Sequence, residues 1–177
     1  EGTSVPGGMQ QWMDGGAPAD KLVMGFATYG RGWTLASASD TGVGAAAAGG
    51  SAPGAITSEQ GFLAWNEIQN IISNGGTSHY DETTMCMYAV NNDQWVGYDN
   101  AATLRTKVDY LADRGFAGGM VWALDLDDFH GGYPLISAIK TGLDAINVAP
   151  TTSAPTPPPS TATPTTPVTP PPSTAPP

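Results

Sequence analysis

Two stretches of this chain are apolar on both faces: LVMGFA at residues 22–27 and FAGGMVWAL at residues 116–124. A strand with one face in water alternates apolar and polar residues; one that does not alternate must be covered on both sides, as in a parallel sheet. Parallel neighbours need a crossover, and a helical pattern runs straight into the second stretch. Asn100 is its predicted N-cap. In AATLRTKVDYLADRG, Leu104, Val108, Leu111 and Ala112 face inward, Arg105 and Asp109 pair outside, and Gly115 stops the helix. Strand, helix and strand make a βαβ unit. Two parallel strands alone leave edges and faces bare, so the pair reads as the end of a larger α/β array.

Other elements frame this unit. SVPGGMQQWMDGGAP predicts a helix with Val5, Met9, Trp12 and Met13 on one face, ended by Gly15, Gly16 and Pro18. Residues 37–55 read as a long small-residue loop. Its GVGAAAAGG lacks the following Lys-Ser/Thr of a phosphate loop. ITSEQGFLAWNEIQNIISNGG predicts a helix opened by a Thr57–Gln60 capping box, striped by Trp65, Ile68, Ile71 and Ile72, and closed by Gly75 and Gly76. HYDE, TMCMYAV and QWVGYD read as short strands, the last two turned at Asn91-Asn92-Asp93. The last predicted helix runs from Pro134 to Ile146, with Leu135, Ile136, Ile139, Leu143 and Ile146 on its buried side.

Beyond that helix the chemistry changes. Residues 150–177 hold 12 Pro, 9 Thr and 3 Ser without a charge or an aromatic ring. Such a tail has nothing to bury and is expected to be disordered, extended and solvated, reaching roughly 80–90 Å as a polyproline-type spacer. All charged residues precede it, so the folded part carries the net charge of −10. That balance excludes nucleic acid as a partner, since no basic patch neutralises phosphates, and favours neutral or cationic ligands. No stretch is long and apolar enough for a membrane span. The single cysteine, Cys86, has no intrachain partner, and its TTMCMYAV setting reads as a small strand residue rather than a nucleophile. His79 and His130 lack ligand-spaced partners, so no metal and no cofactor is expected. EGTSVPGG shows no signal peptide.

In βα architectures chemistry sits at the C-terminal ends of the strands. The first end presents Tyr29 and Arg31; the second presents Trp122, then Asp125. Alternation places Met120, Trp122 and Leu124 on one face. An indole there is either core filler or a flat surface for the C–H face of a pyranose ring, with its N–H available as a donor. The run DLDDF brings Asp125, Asp127 and Asp128 together, but it contains no glutamate.

KLVMGFATYGRGWTLA, ITSEQGFLAWNEI, QWVGYDN and GFAGGMVWALDLDDF together resemble the family 18 glycoside hydrolases, chitinases and chitinase-like lectins, over residues 1 to about 147. The resemblance implies an α/β fold: a partial TIM barrel from residues 1–32 and 98–148, an α+β insertion domain at 33–97, and the Pro/Thr-rich linker at 149–177. LVMGFATYG would be strand seven and AGGMVWAL strand eight. The family hydrolyses β-1,4-linked N-acetylglucosamine polymers with retention, the 2-acetamido oxygen attacking while a glutamic acid protonates the leaving oxygen. That acid closes an Asp-x-x-Asp-x-Asp-x-Glu motif on strand four, and no such motif stands in this sequence. No catalytic residue is therefore expected here, and the aspartates of DLDDF are expected to hold backbone N–H groups instead.

The resemblance assigns the remaining roles to substrate binding. Trp122 would be the stacking floor, Tyr29 would hydrogen-bond to the same sugar, and Arg31 would reach a neighbouring one unless it is spent in a surface ion pair. Met120 would pack beneath the acetamido pocket or serve as core. Glu67 would offer a carboxylate to sugar hydroxyls or lie exposed on its helix. Trp33, Trp65 and Trp95 would be core of the insertion. Ala27 stands where the family often has proline, and the disulfide that clasps the insertion in many animal members is missing, so the insertion would pivot more freely. Chitin or chito-oligosaccharides are the implied partners, the implied location is extracellular, and a chitin-binding module is expected beyond the linker of the parent protein.

Overall fold

The computed structural model describes residues 4–146. The Pro/Thr-rich tail lies outside them. Helix α1 (Val5–Asp14) starts at Ser4, whose Oγ accepts the Gly7 N–H. Strand β1 (Val23–Ala27) follows, then β2 (Tyr29–Leu35), β3 (Ala47–Gly50), β4 (Phe62–Ala64), α2 (Trp65–Ser73), β5 (Thr77–Asp81), β6 (Cys86–Asn91), β7 (Gln94–Tyr98), α3 (Ala101–Asp113), β8 (Gly118–Trp122) and α4 (Pro134–Ile146). These strands form two sheets: β1 with β8, and a six-stranded sheet in the order β3-β2-β7-β6-β5 with β4 also on β2.

The two doubly apolar stretches do pair in parallel, with Gly25 opposite Met120 and Ala27 opposite Trp122. Alternation then sorts their side chains. Met24 and Phe26 are buried, with Val121 packed alongside, against Leu104, Val108 and Leu111 of α3, Leu135 and Ile139 of α4, and Met9 of α1. The other face, carrying Val23, Met120 and Trp122, is exposed among the described residues. In α1 only Met9 and Met13 reach the core; Trp12 is 67% exposed, because Met9 and Met13 stack four residues apart on the inner stripe and Trp12 falls off it.

The antiparallel sheet is covered by α2. Leu63, Ile68, Ala89, Val96 and Tyr98 make its core. Gly30 is obligatory there: a Cβ would stand 2.7 Å from Ile68 Cδ1 and from Val96 Cγ2. Residues 29–32 and Tyr98, expected in the barrel part, are strand residues of this sheet. The predicted helix start at Thr57–Gln60 is also displaced. Phe62–Ala64 instead pair with Tyr29–Arg31 as strand β4, and the helix begins only at Trp65. Residues 47–50, expected in a loop, join the sheet through backbone pairing with β2.

Candidate functional site

The strand β1 ends at Ala27, and one residue, Thr28, hands the chain over to β2. Thr28 is fully buried. Its N–H donates to Trp122 O (3.2 Å) and its hydroxyl to Ala123 O (2.6 Å), so the ends of β1 and β8 are tied where the second sheet begins. The peptide between Trp122 and Ala123 is cis. Nothing in the sequence around Thr28 signalled this contact; its partner lies 95 positions away.

At this shared rim Trp122 is 65% exposed and Met120 47%. Their opposite numbers on β1 are the small residues Ala27 and Gly25, and Met120 Cε lies 3.6 Å from where a Gly25 Cβ would stand. The pair thus makes an open apolar shelf at the end of the parallel strands. An indole so placed offers a flat face and a polar tip.

Tyr29 and Arg31 stand on β2, which begins one residue after β1 ends. Tyr29 is half-buried against Phe62, with ring centroids 4.8 Å apart. The Arg31 guanidinium lies 4.8 Å over the Phe62 ring and 5.5 Å over the Tyr29 ring. It also reaches Glu59 at 3.8 Å, a pair with both partners exposed, which contributes little. Aromatic faces, more than that ion pair, orient the guanidinium. Phe62, on β4 rather than in the expected helix, is what positions it.

Glu67 does something other than expected. It is only 6% exposed, and both oxygens are engaged. Oε1 accepts from Ile56 N (2.6 Å) and Thr57 N (3.2 Å); Oε2 accepts from Thr57 Oγ1 (3.0 Å) and Ala64 N (2.8 Å). Burial alone would raise its pKa, but the bonds from Ala64, Ile56 and Thr57 outweigh it and hold the carboxyl below the ordinary value. A Cβ at Gly54 would collide with this carboxylate. Glu67 therefore pins the loop before β4 to the start of α2; with every lone pair aimed at the chain itself, it is withdrawn from the sugar-contacting set.

The acidic run divides. Asp127 is buried and accepts from Asp128 N (2.9 Å), Ile136 N (2.9 Å) and Leu135 N (3.4 Å), standing in for an N-cap of α4. Asp128 accepts from His130 N and Gly131 N. Asp125 is exposed next to the shelf. Elsewhere, Asp99 is buried with Lys107 and Thr103 as partners, and the half-buried Cys86 thiol sits 3.7 Å from Lys107 Nζ. Burial pushes the Cys86 pKa up despite that ammonium, which keeps the sulfur protonated and unreactive. Of the three tryptophans expected in the core, Trp65 packs against both hydrophobic clusters, Trp95 is half-buried, and Trp33 is 41% exposed. Among the described residues there is no cluster of metal-ligating side chains and no helix long and apolar enough to cross a membrane.

The pattern of the glycosyl hydrolases of family 18 matches residues 2–127. Mouse (Mus musculus) chitotriosidase-1 is 41% identical over 80% of this chain and 31% of its own length. Human chitinase-3-like protein 2 is 41% identical over 76% of this chain and 36% of its own. The chain thus spans about a third of the length of these relatives. A solved structure of human YKL-39, a pseudo-chitinase with retained chitooligosaccharide binding properties, superposes with a TM-score of 0.76 at 40% identity, covering 79% of this chain and 40% of that one.

Proposed function

The chain belongs to glycosyl hydrolase family 18, and from that premise we propose that it is the substrate-binding end of a secreted chitinase barrel, with β1 and β8 as strands seven and eight and the six-stranded sheet as the inserted wall of the cleft. The observation that carries this reading is the open apolar shelf of Trp122 and Met120 at the end of the parallel strands. Trp122 supports an N-acetylglucosamine ring, Met120 backs its acetamido group, and Tyr29 and Arg31 bond the sugars above. The parent hydrolyses β-1,4-linked N-acetylglucosamine polymers through the substrate's own acetamido oxygen. On this reading the proton donor belongs to the strand-four motif, which this sequence does not contain, and this chain alone is expected to bind weakly at best and to hydrolyse nothing. The Pro/Thr tail would tether the barrel to a chitin-binding module.

A second reading, a chitin-binding lectin, has a specific support: the similar YKL-39 is itself a pseudo-chitinase. The two readings share the floor and differ only in the strand-four residue. Calorimetric titration with N-acetylglucosamine oligomers tests the floor. In the protein with its full barrel, Trp122→Ala weakens binding by roughly 1–3 kcal/mol, a typical loss for a stacking aromatic. Unchanged affinity would remove both readings and leave a matrix scaffold, which would also be indifferent to the change in a chitin pull-down.

A further inference from the structure

We propose that Thr28 is a positioning residue for sugar binding: its buried hydroxyl, held between the ends of β1 and β8, fixes the placement of the Trp122 indole and its spacing from Tyr29. The proposal rests on the reading of Trp122 as the floor and deepens it.

The indole has little side-chain packing to place it. It is largely exposed and, among the described residues, belongs to neither hydrophobic cluster. Met120, two residues earlier on the same face, is itself exposed, and the residue opposite on β1 is only Ala27. A side chain with so few neighbours goes where its backbone sends it. Trp122 is the last residue of β8, and Ala27–Trp122 is the last pair of the parallel ladder. Past that pair the carbonyls of Trp122 and Ala123 need other partners.

Thr28 supplies both. Its N–H donates to Trp122 O at 3.2 Å and its hydroxyl to Ala123 O at 2.6 Å. The hydroxyl is fully enclosed, where a polar group costs stability unless it is bonded. Valine has the same shape without that cost, so packing alone gives no reason for a hydroxyl here. Ala123 O also accepts the Leu126 N–H at 3.1 Å, but that bond ties it to the turn carrying Asp125, not to β1. The hydroxyl is therefore what couples Ala123 to the first strand. Thr28 also stands between Ala27, paired with Trp122, and Tyr29, paired with Ala64 of β4. One buried residue thus sets the height of the floor against the first side chain of the wall. A binding surface of this kind must hold its geometry to about 0.5 Å.

The test is a double-mutant cycle in the protein with its full barrel, read by calorimetric titration with the tetramer of N-acetylglucosamine. Thr28→Val keeps the shape, drops the hydroxyl and weakens binding by roughly three- to tenfold, the worth of one hydrogen bond. Thr28→Ser keeps the hydroxyl and retains the affinity. In the Trp122→Ala background Thr28→Val costs nothing further, because it acts through the indole; a merely structural role would add the same loss in both backgrounds. If Trp122→Ala weakens binding while Thr28→Val leaves it unchanged, or lowers it by one factor in both backgrounds, the positioning role is refuted and the floor stands. Equal losses in Thr28→Ser and Thr28→Val would refute it too. If Trp122→Ala is silent, the floor fails and takes this proposal with it. Should Thr28→Val not fold, Thr28→Ala, which loses the same hydroxyl without crowding its neighbours, takes its place in the cycle with the same expected outcomes.

Discussion

The β1–β8 pair and the six-stranded sheet hide their apolar residues in different ways. The antiparallel sheet is nearly self-sufficient: each strand from β2 to β7 finds its neighbours within residues 29–98, and α2 covers one face with Ile68 at its centre. The parallel pair is covered by α1, α3 and α4 on the Phe26 side only, while Val23, Met120, Trp122 and Leu124 remain exposed. The difference was written into the two kinds of sequence. Strands that alternate need one cover; strands that do not alternate need two. The uncovered shelf is thus both the chain's weakest packing and its best candidate for binding.

The comparison can be broken by perturbing each half in turn. Phe26→Ala deletes a side chain that is buried among helices on three sides and costs about 3–5 kcal/mol. Hydrogen exchange should show protection lost in β1, β8 and α4 but kept in β5, β6 and β7; equal loss everywhere would make the two regions one cooperative unit. Glu67→Gln acts on the other half, removing a charge that accepts three backbone N–H groups, at a cost of about 1–3 kcal/mol. The pH dependence carries the same sign. The native Glu67 pKa is lowered, so its contribution is full above the unfolded value of about 4.3 and is lost as pH falls towards the native one; acid melts followed at β4 and α2 should lose this dependence in Glu67→Gln.

Smaller effects sharpen the picture. Asp127→Ala releases the first N–H groups of α4 and lowers the melt by about 0.5–2 kcal/mol. Trp122→Ala shifts thermal stability by no more than about 0.5 kcal/mol, since its side chain is largely in water, although it is the change expected to cost most in sugar binding. A large loss of stability there would mean that the indole is structural.

What was legible in the sequence was whatever periodicity or local chemistry encodes. The parallel pairing followed from two stretches without alternation, α3 from Asn100 to Gly115, α4 from its apolar stripe, and the holding role of Asp127 and Asp128 from the missing glutamate. What escaped depended on contacts between distant positions. The Thr57–Gln60 spacing imitates a capping box, yet Thr57 bonds to Glu67 and to Phe62 O across a strand that only tertiary pairing creates. Trp33 passed for core because a tryptophan on a strand usually is one; nothing local told which face α2 would cover. Strand β3 is built from Ala and Gly, which have almost no strand preference, and it exists because β2 offers it a backbone edge.

Thr28 and Trp65 together have a mechanical consequence. The polypeptide passes from floor to wall through a single enclosed residue and returns through Asp99, itself locked by Lys107 and Thr103, while Trp65 is wedged into both oily interiors at once. There is no slack at either crossing. Without a covalent clasp, the buried Thr28, the Asp99 cluster and the Trp65 ring are what join the two halves.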